Sequence, residues 1–286
     1  MFVARLLFIA LLALGALDGR TAPLEPYTLA NTEVHPLRSR LLQRDYRLFV
    51  SLPVDYDKQP ARRYPVLFLT DTNYAFPLLR SISHMARNQG RDLQDFILVG
   101  LSYADGDSPQ ASRNRDYTPS ARRDKGGDST PVYGQAEAYR RFIAEEVFPY
   151  VEKTLRADMG RKIFAGHSYG GLLGAHMLLT EPGMFQHYIL SSPSLWYDDG
   201  LMLKRAQAFV GQQRGLKARV LLLVGGLERG KDEDMVGDLR RFEAMLRSAR
   251  LPGLHVESRI LAGEGHLTVF PAAISRGLFW ALRPGA

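Results

Sequence analysis

The chain has 286 residues, a formal net charge of +7 and no cysteine. That length accommodates one α/β domain with a substantial core, and the lack of cysteine excludes disulfides, Cys-ligated zinc and a thiol nucleophile. The positive charge comes without a G-x-x-x-x-G-K-[ST] loop, an RNA-binding signature or zinc-finger spacing, so nucleic-acid binding is set aside.

The chain opens with Arg5 and an apolar run from Leu6 to Leu17, followed by Asp18-Gly19-Arg20. The run is shorter than the roughly 20 residues that a membrane span needs, and its flanks suit a secretory signal. Residues 1–22 are therefore expected to be a signal peptide, with no clean A-x-A cleavage site, and residues 23–286 the exported domain. With no cysteine to lipidate, no membrane anchor is expected after cleavage, and the location expected is periplasmic or secreted.

Strand patterns follow at Tyr46–Leu52, Pro65–Thr70, Phe96–Ser102, Lys162–Gly166, Tyr188–Ser191, Arg219–Gly225 and Val256–Leu261. Several are short continuous apolar runs of the kind that buried parallel strands make. Helical patterns lie between them at Phe76–Asn88, Gln135–Leu155, Gly170–Thr180, Met202–Gln212, Asp234–Ala249 and Val269–Leu282. Pro149 is expected to kink or end the second helix. This alternation indicates a doubly wound, mainly parallel sheet with its ligand site at the carboxyl ends of the strands. Residues 103–132, rich in Asp, Arg, Ser, Pro and Gly, read as a long loop over that site.

Gly166-His-Ser-Tyr-Gly170 is a G-x-S-x-G sequence at a strand-to-helix junction, the pattern of a nucleophile elbow. It makes Ser168 the candidate nucleophile, which needs a base, an acid and an oxyanion site. Of seven histidines, His266 lies just beyond the last strand pattern and before the final helix, where a loop can bring an imidazole to the serine. His167, adjacent to the serine, is expected to point away from it on a tight turn. Glu228 ends the turn after Leu221–Gly225 and is the leading acid; Asp232, Asp234, Asp198 and Asp199 stay open as alternatives. The oxyanion hole is assigned to the backbone N–H groups of Tyr169, after the nucleophile, and Asn73, after the third strand.

These phrases resemble the esterase D-like esterase family of α/β-hydrolases, and within it the branch of bacterial siderophore trilactone esterases. The matching segments are Pro65–Asp71, Arg113-Asn-Arg-Asp-Tyr-Thr-Pro119, Phe164–Leu173, Ser191-Ser-Pro-Ser-Leu-Trp196, Val224–Glu228 and Gly263–His266. The resemblance implies the α/β-hydrolase fold and a carboxylic-ester hydrolase with neither metal nor cofactor of its own; iron would belong to the substrate. Thr72 departs from the glycine common in this family's oxyanion loop, and the acid varies among members. A small anionic ester such as a ferric catecholate siderophore fits Arg113 and Arg115 as substrate contacts, with Trp196 as a stacking wall. A general periplasmic carboxylesterase and an acyltransferase are the alternative readings. A non-catalytic binding protein on the same fold is a further class. The oligomeric state is not legible in the sequence.

Overall fold

The computed structural model describes residues 24–88, 93–121, 132–209, 217–231 and 233–284. The expected signal peptide, Asp232, and Arg122, Arg123 and Lys125 of the long loop lie outside the described residues. The compact unit that carries the fold runs from Asn31 to Ala286.

Its centre is an eight-stranded sheet of β1 (Thr32–Ser39), β2 (Arg44–Ser51), β3 (Tyr64–Leu69), β4 (Ile97–Leu101), β5 (Ala157–His167), β6 (His187–Ser191), β7 (Ala218–Gly225) and β8 (Leu254–Leu261). The spatial order is β1-β2-β4-β3-β5-β6-β7-β8. β2 pairs antiparallel with β1 and β4, and every pair from β4 across to β8 is parallel. Every residue of β3 and β4 is buried, as expected of strands covered on both faces.

Among the described residues, eight α-helices connect or flank the strands: α1 (Thr72–Asn88), α2 (Pro109–Asp116), α3 (Ala136–Phe142), α4 (Phe148–Thr154), α5 (Tyr169–Thr180), α6 (Tyr197–Phe209), α7 (Met235–Ser248) and α8 (Val269–Leu282). One apolar layer gathers Leu67, Leu69, Ile189, Leu221 and Leu223 against α1 and α8. The opposite face carries the larger layer, including Phe68, Phe164, Phe185, Tyr188 and Leu222. This is the doubly wound, mainly parallel α/β architecture that the alternating pattern implied.

Four local differences have physical causes. β1 escapes a periodicity reading because it contains Pro36 and only one of its residues is fully buried, both tolerated on an edge strand. α1 starts a turn earlier than expected and keeps Pro77 inside; near the helix start the missing N–H forfeits only one early bond. The helix expected over 135–155 is broken by a π-helical turn at Ile143–Val147, which leaves Pro149 in the first turn of α4. The long loop contains α2, capped by the Ser108 hydroxyl, which accepts from the Ala111 N–H at 3.2 Å, with Pro109 in its first turn.

Candidate active site

β5 ends at His167, and the chain turns at Ser168 with φ 58° and ψ −118° before entering α5. A non-glycine residue adopts this backbone only when its surroundings impose it. They do so here: the Ser168 N–H donates to the Ser191 carbonyl at 3.0 Å, and its carbonyl accepts from the N–H groups of Leu172 and Ser194. Gly166 makes the turn possible, since a Cβ there would lie 2.4 Å from the Gly170 carbonyl oxygen. Ser168 thus stands half-exposed at the carboxyl end of a central strand.

The turn after β7 delivers Glu228, and the loop between β8 and α8 delivers His266. Two backbone bonds tie these segments together, Gly226 N–H to the Leu261 carbonyl at 2.8 Å and Leu227 N–H to the Glu264 carbonyl at 2.9 Å. His266 Nδ1 lies 2.6 Å from Glu228 Oε2. The other carboxylate oxygen accepts from the Ser192 hydroxyl at 2.6 Å and the Gly225 N–H at 2.7 Å. Burial opposes the charged form of Glu228, but the bonds from His266, Ser192 and Gly225 outweigh it and hold the carboxyl below its ordinary range. An ionised carboxylate only accepts, so Nδ1 carries the proton and Nε2 keeps a free lone pair.

Ser168, Glu228 and His266 line one cleft of about 430 Å³, with Ser194, Trp196, Leu227, Arg229, Glu233 and Met235. The Ser168 hydroxyl is 3.4 Å from that of Ser194, and among the described residues it makes no hydrogen bond to His266 in this resting arrangement. Catalytic hydrogen bonds are often long or turned aside before substrate arrives. Tyr169 and Asn73 both fall in the first turns of helices, α5 and α1, where N–H groups have no intrahelical acceptor. Trp196 stands beside Tyr169, ring centroids 6.2 Å apart.

The other acids open to the sequence reading sit elsewhere. Asp234 caps α7 by accepting from the Gly237 N–H at 2.9 Å. Asp198 and Asp199 occupy a left-handed turn at the head of α6, where Asp198 accepts from the Ser120 hydroxyl. Arg113 and Arg115, expected to meet the ligand, are not among the residues that line this cleft. Arg115 is 5% exposed and bound between Asp116 at 2.8 Å and Asp107 at 2.5 Å. Arg113 donates from Nε to Asp71 Oδ1 at 2.8 Å. Both guanidinium groups are thus already paired with carboxylates of the protein.

Sequence reasoning missed Ser192, Ser194 and Arg229. The first two belong to the Ser191–Trp196 phrase, where consecutive serines at the carboxyl end of a strand were the available signal. Arg229 had none beyond its place next to Glu228.

The parallel sheet, the elbow and the acid–histidine pair define an ester hydrolase of the α/β-hydrolase fold. The family model described as "Putative esterase" matches residues 39–272, and the chain belongs to that family. It is 32% identical over 270 residues to the ferri-bacillibactin esterase BesA of Bacillus subtilis (strain 168), covering 90% of this chain and 92% of the relative. It is 31% identical to a siderophore triacetylfusarinine C esterase of Aspergillus fumigatus, over 82% of this chain and 87% of the relative. Among solved structures, the BES protein from Bacillus cereus superposes with a TM-score of 0.78 at 29% identity, over 91% of this chain and 99% of that one.

Proposed function

We propose that this protein is an exported serine esterase that hydrolyses a catecholate siderophore trilactone such as enterobactin, with or without bound iron. The observation that carries the mechanistic part is the Glu228–His266 pair at 2.6 Å in the same cleft as Ser168. It leaves His266 Nε2 as the free base in the cleft that Ser168 lines from its strained elbow.

Ser168 turns from Ser194 toward His266, and Nε2 takes the hydroxyl proton as Oγ attacks the ester carbonyl carbon. The oxyanion is held by the N–H groups of Tyr169 and Asn73. Collapse breaks the carbonyl carbon–oxygen bond, and the leaving alkoxide takes the proton from His266. Water, deprotonated by His266, then attacks the acyl-enzyme and frees Ser168. Glu228 keeps the imidazole in the right tautomer and stabilises the imidazolium.

The substrate class is supported by the relatives, which are siderophore esterases, and by the cleft itself. Trp196 offers an aromatic face there and Arg229 an exposed cation. Export rests on the segment 1–22.

The test compares a ferric catecholate trilactone, its iron-free form and a neutral aryl ester, with products identified by mass. Cleavage of the aryl ester alone overturns the siderophore reading. Ser168→Ala is expected to lower turnover by about 10⁴-fold or more, and near-wild-type hydrolysis by that variant overturns the serine mechanism.

A further inference from the structure

Asp71 ends the segment after β3 in a left-handed conformation, φ 58°, and is 1% exposed. Oδ1 accepts from Arg113 Nε at 2.8 Å and from the Tyr103 hydroxyl at 2.7 Å, while Oδ2 lies 3.3 Å from the Thr70 hydroxyl. The same guanidinium lies over the ring of Tyr169, its Cζ 5.4 Å from the centroid. One side chain therefore touches both segments assigned to the oxyanion hole: the residue two before Asn73, and Tyr169 itself. The segments also meet directly, since a Cβ on Gly170 would fall 2.2 Å from Thr70 Oγ1.

Arg113 is held in turn by its helix. Its neighbour Arg115 is tied to Asp116 and Asp107, and Asp116 accepts from the Tyr46 hydroxyl at 3.0 Å, which fixes α2 to β2. A cation on a pinned helix thus reaches a buried carboxylate on one oxyanion segment and an aromatic face on the other. Donors of an oxyanion hole act through preorganisation, and small displacements weaken them steeply.

We infer that Arg113 is a positioning residue that holds the two halves of the oxyanion hole in register, rather than a ligand of the substrate. The inference rests on the serine-esterase reading and its assignment of Tyr169 and Asn73. It also gives the long segment after β4 a catalytic purpose independent of what the substrate carries.

The experiment uses the full mature chain, a neutral aryl ester, the same ester bearing a carboxylate, and phenylboronic acid, whose serine adduct places an oxygen in the hole. Arg113→Met is expected to lower kcat about 100-fold on both esters, the loss expected of a misplaced or missing donor. KM should stay within about threefold on both, and affinity for the boronic acid should fall in parallel with kcat. That substitution leaves Asp71 buried and unpaired, which threatens folding. Two further variants therefore accompany it, with folding checked by circular dichroism and urea unfolding. Asp71→Asn with Arg113→Met removes the buried charge but not the lost link, so kcat should stay low. Arg113→Lys keeps the charge and is expected to lower kcat about tenfold on both esters, since it cannot reproduce the guanidinium fork.

A rise in KM confined to the carboxylate-bearing ester, with kcat on the neutral ester intact, makes Arg113 a substrate ligand and overturns the inference. Restored kcat in the double variant overturns it as well. An active Ser168→Ala variant fails the underlying serine mechanism instead, so the two failures are distinguishable.

Discussion

The imidazole of His167 lies beneath that of His266, ring centroids 4.7 Å apart and planes inclined by 35°. The expectation that His167 points away from Ser168 left open where its ring goes; it packs against the neighbouring base and, on another side, Phe270 at 5.2 Å. His167 Nδ1 lies 3.1 Å from the Ser191 hydroxyl. Burial, reinforced by the proximity of His266, pushes the pKa of His167 down to about 3. Two histidines thus stack in the site, and only one is available as a base.

The pH dependence follows from that asymmetry. His167 stays neutral above pH 4, and burial notwithstanding, its hydrogen bonds hold Glu228 ionised below the ordinary carboxyl range. The acid limb of kcat/KM for a neutral ester should therefore fall with a slope of one. His167→Gln should preserve that single ionisation. A slope of two in the wild type would show a second essential proton and contradict this picture.

The buried histidines also predict acid sensitivity. His176 is 4% exposed, and burial, then the charge of Arg205, depresses its pKa from 6.5 to about 4. His167 is depressed further, to about 3. Between pH 6.5 and these values the unfolded chain binds protons that the folded chain refuses, so stability falls as pH falls. The loss is at most about 1.4 kcal/mol per pH unit for each such histidine. Urea midpoints should decline steadily from pH 6.5 to 4, and His176→Gln should flatten the decline. Midpoints that hold constant over this range would contradict it.

Glu228 provides the test of the acid. Glu228→Gln keeps the shape but can present its N–H₂ group to His266 and favour the wrong tautomer, an effect that costs about 10⁴-fold in kcat in a serine protease triad. A loss of 10³- to 10⁴-fold with little change in KM is expected. Ser192→Ala removes one of the bonds to the carboxylate and should cost about 3- to 10-fold in kcat. A Glu228→Gln enzyme within tenfold of wild type would return the acid to the other candidates.

Much of this was legible because it is encoded locally. The buried strands announce themselves as apolar runs, and the elbow and the order of Ser168, Glu228 and His266 follow from turn glycines and the succession of strands. What was not legible depends on partners far apart in sequence. Arg113 read as ligand-facing because its carboxylate is not evident without the fold: Asp71 is 42 residues away. Ser192 gains meaning only when β6 and β7 lie side by side and bring it to Glu228. α2 is short and polar, so its cap signal was outweighed by the composition around it.

Substrate charge should be read by Arg229 in the cleft rather than by the arginines of α2. Arg229 lines the cleft next to Glu228, is exposed, and has no carboxylate partner among the described residues. An anionic catecholate stacked on Trp196 could take that guanidinium as its counterion, because an exposed Arg loses little hydration on pairing and presents a planar fork. Arg229→Gln is expected to raise KM for a carboxylate-bearing aryl ester about 5- to 10-fold, the scale of one partly exposed charge-assisted contact. KM for the neutral ester and kcat for both should stay within twofold. Raising the salt concentration should narrow the wild-type preference toward that of the variant, since the contact is screened. Equal effects on the two esters would remove Arg229 from substrate recognition and leave Trp196 and the apolar wall of Leu227 and Met235 to set the preference.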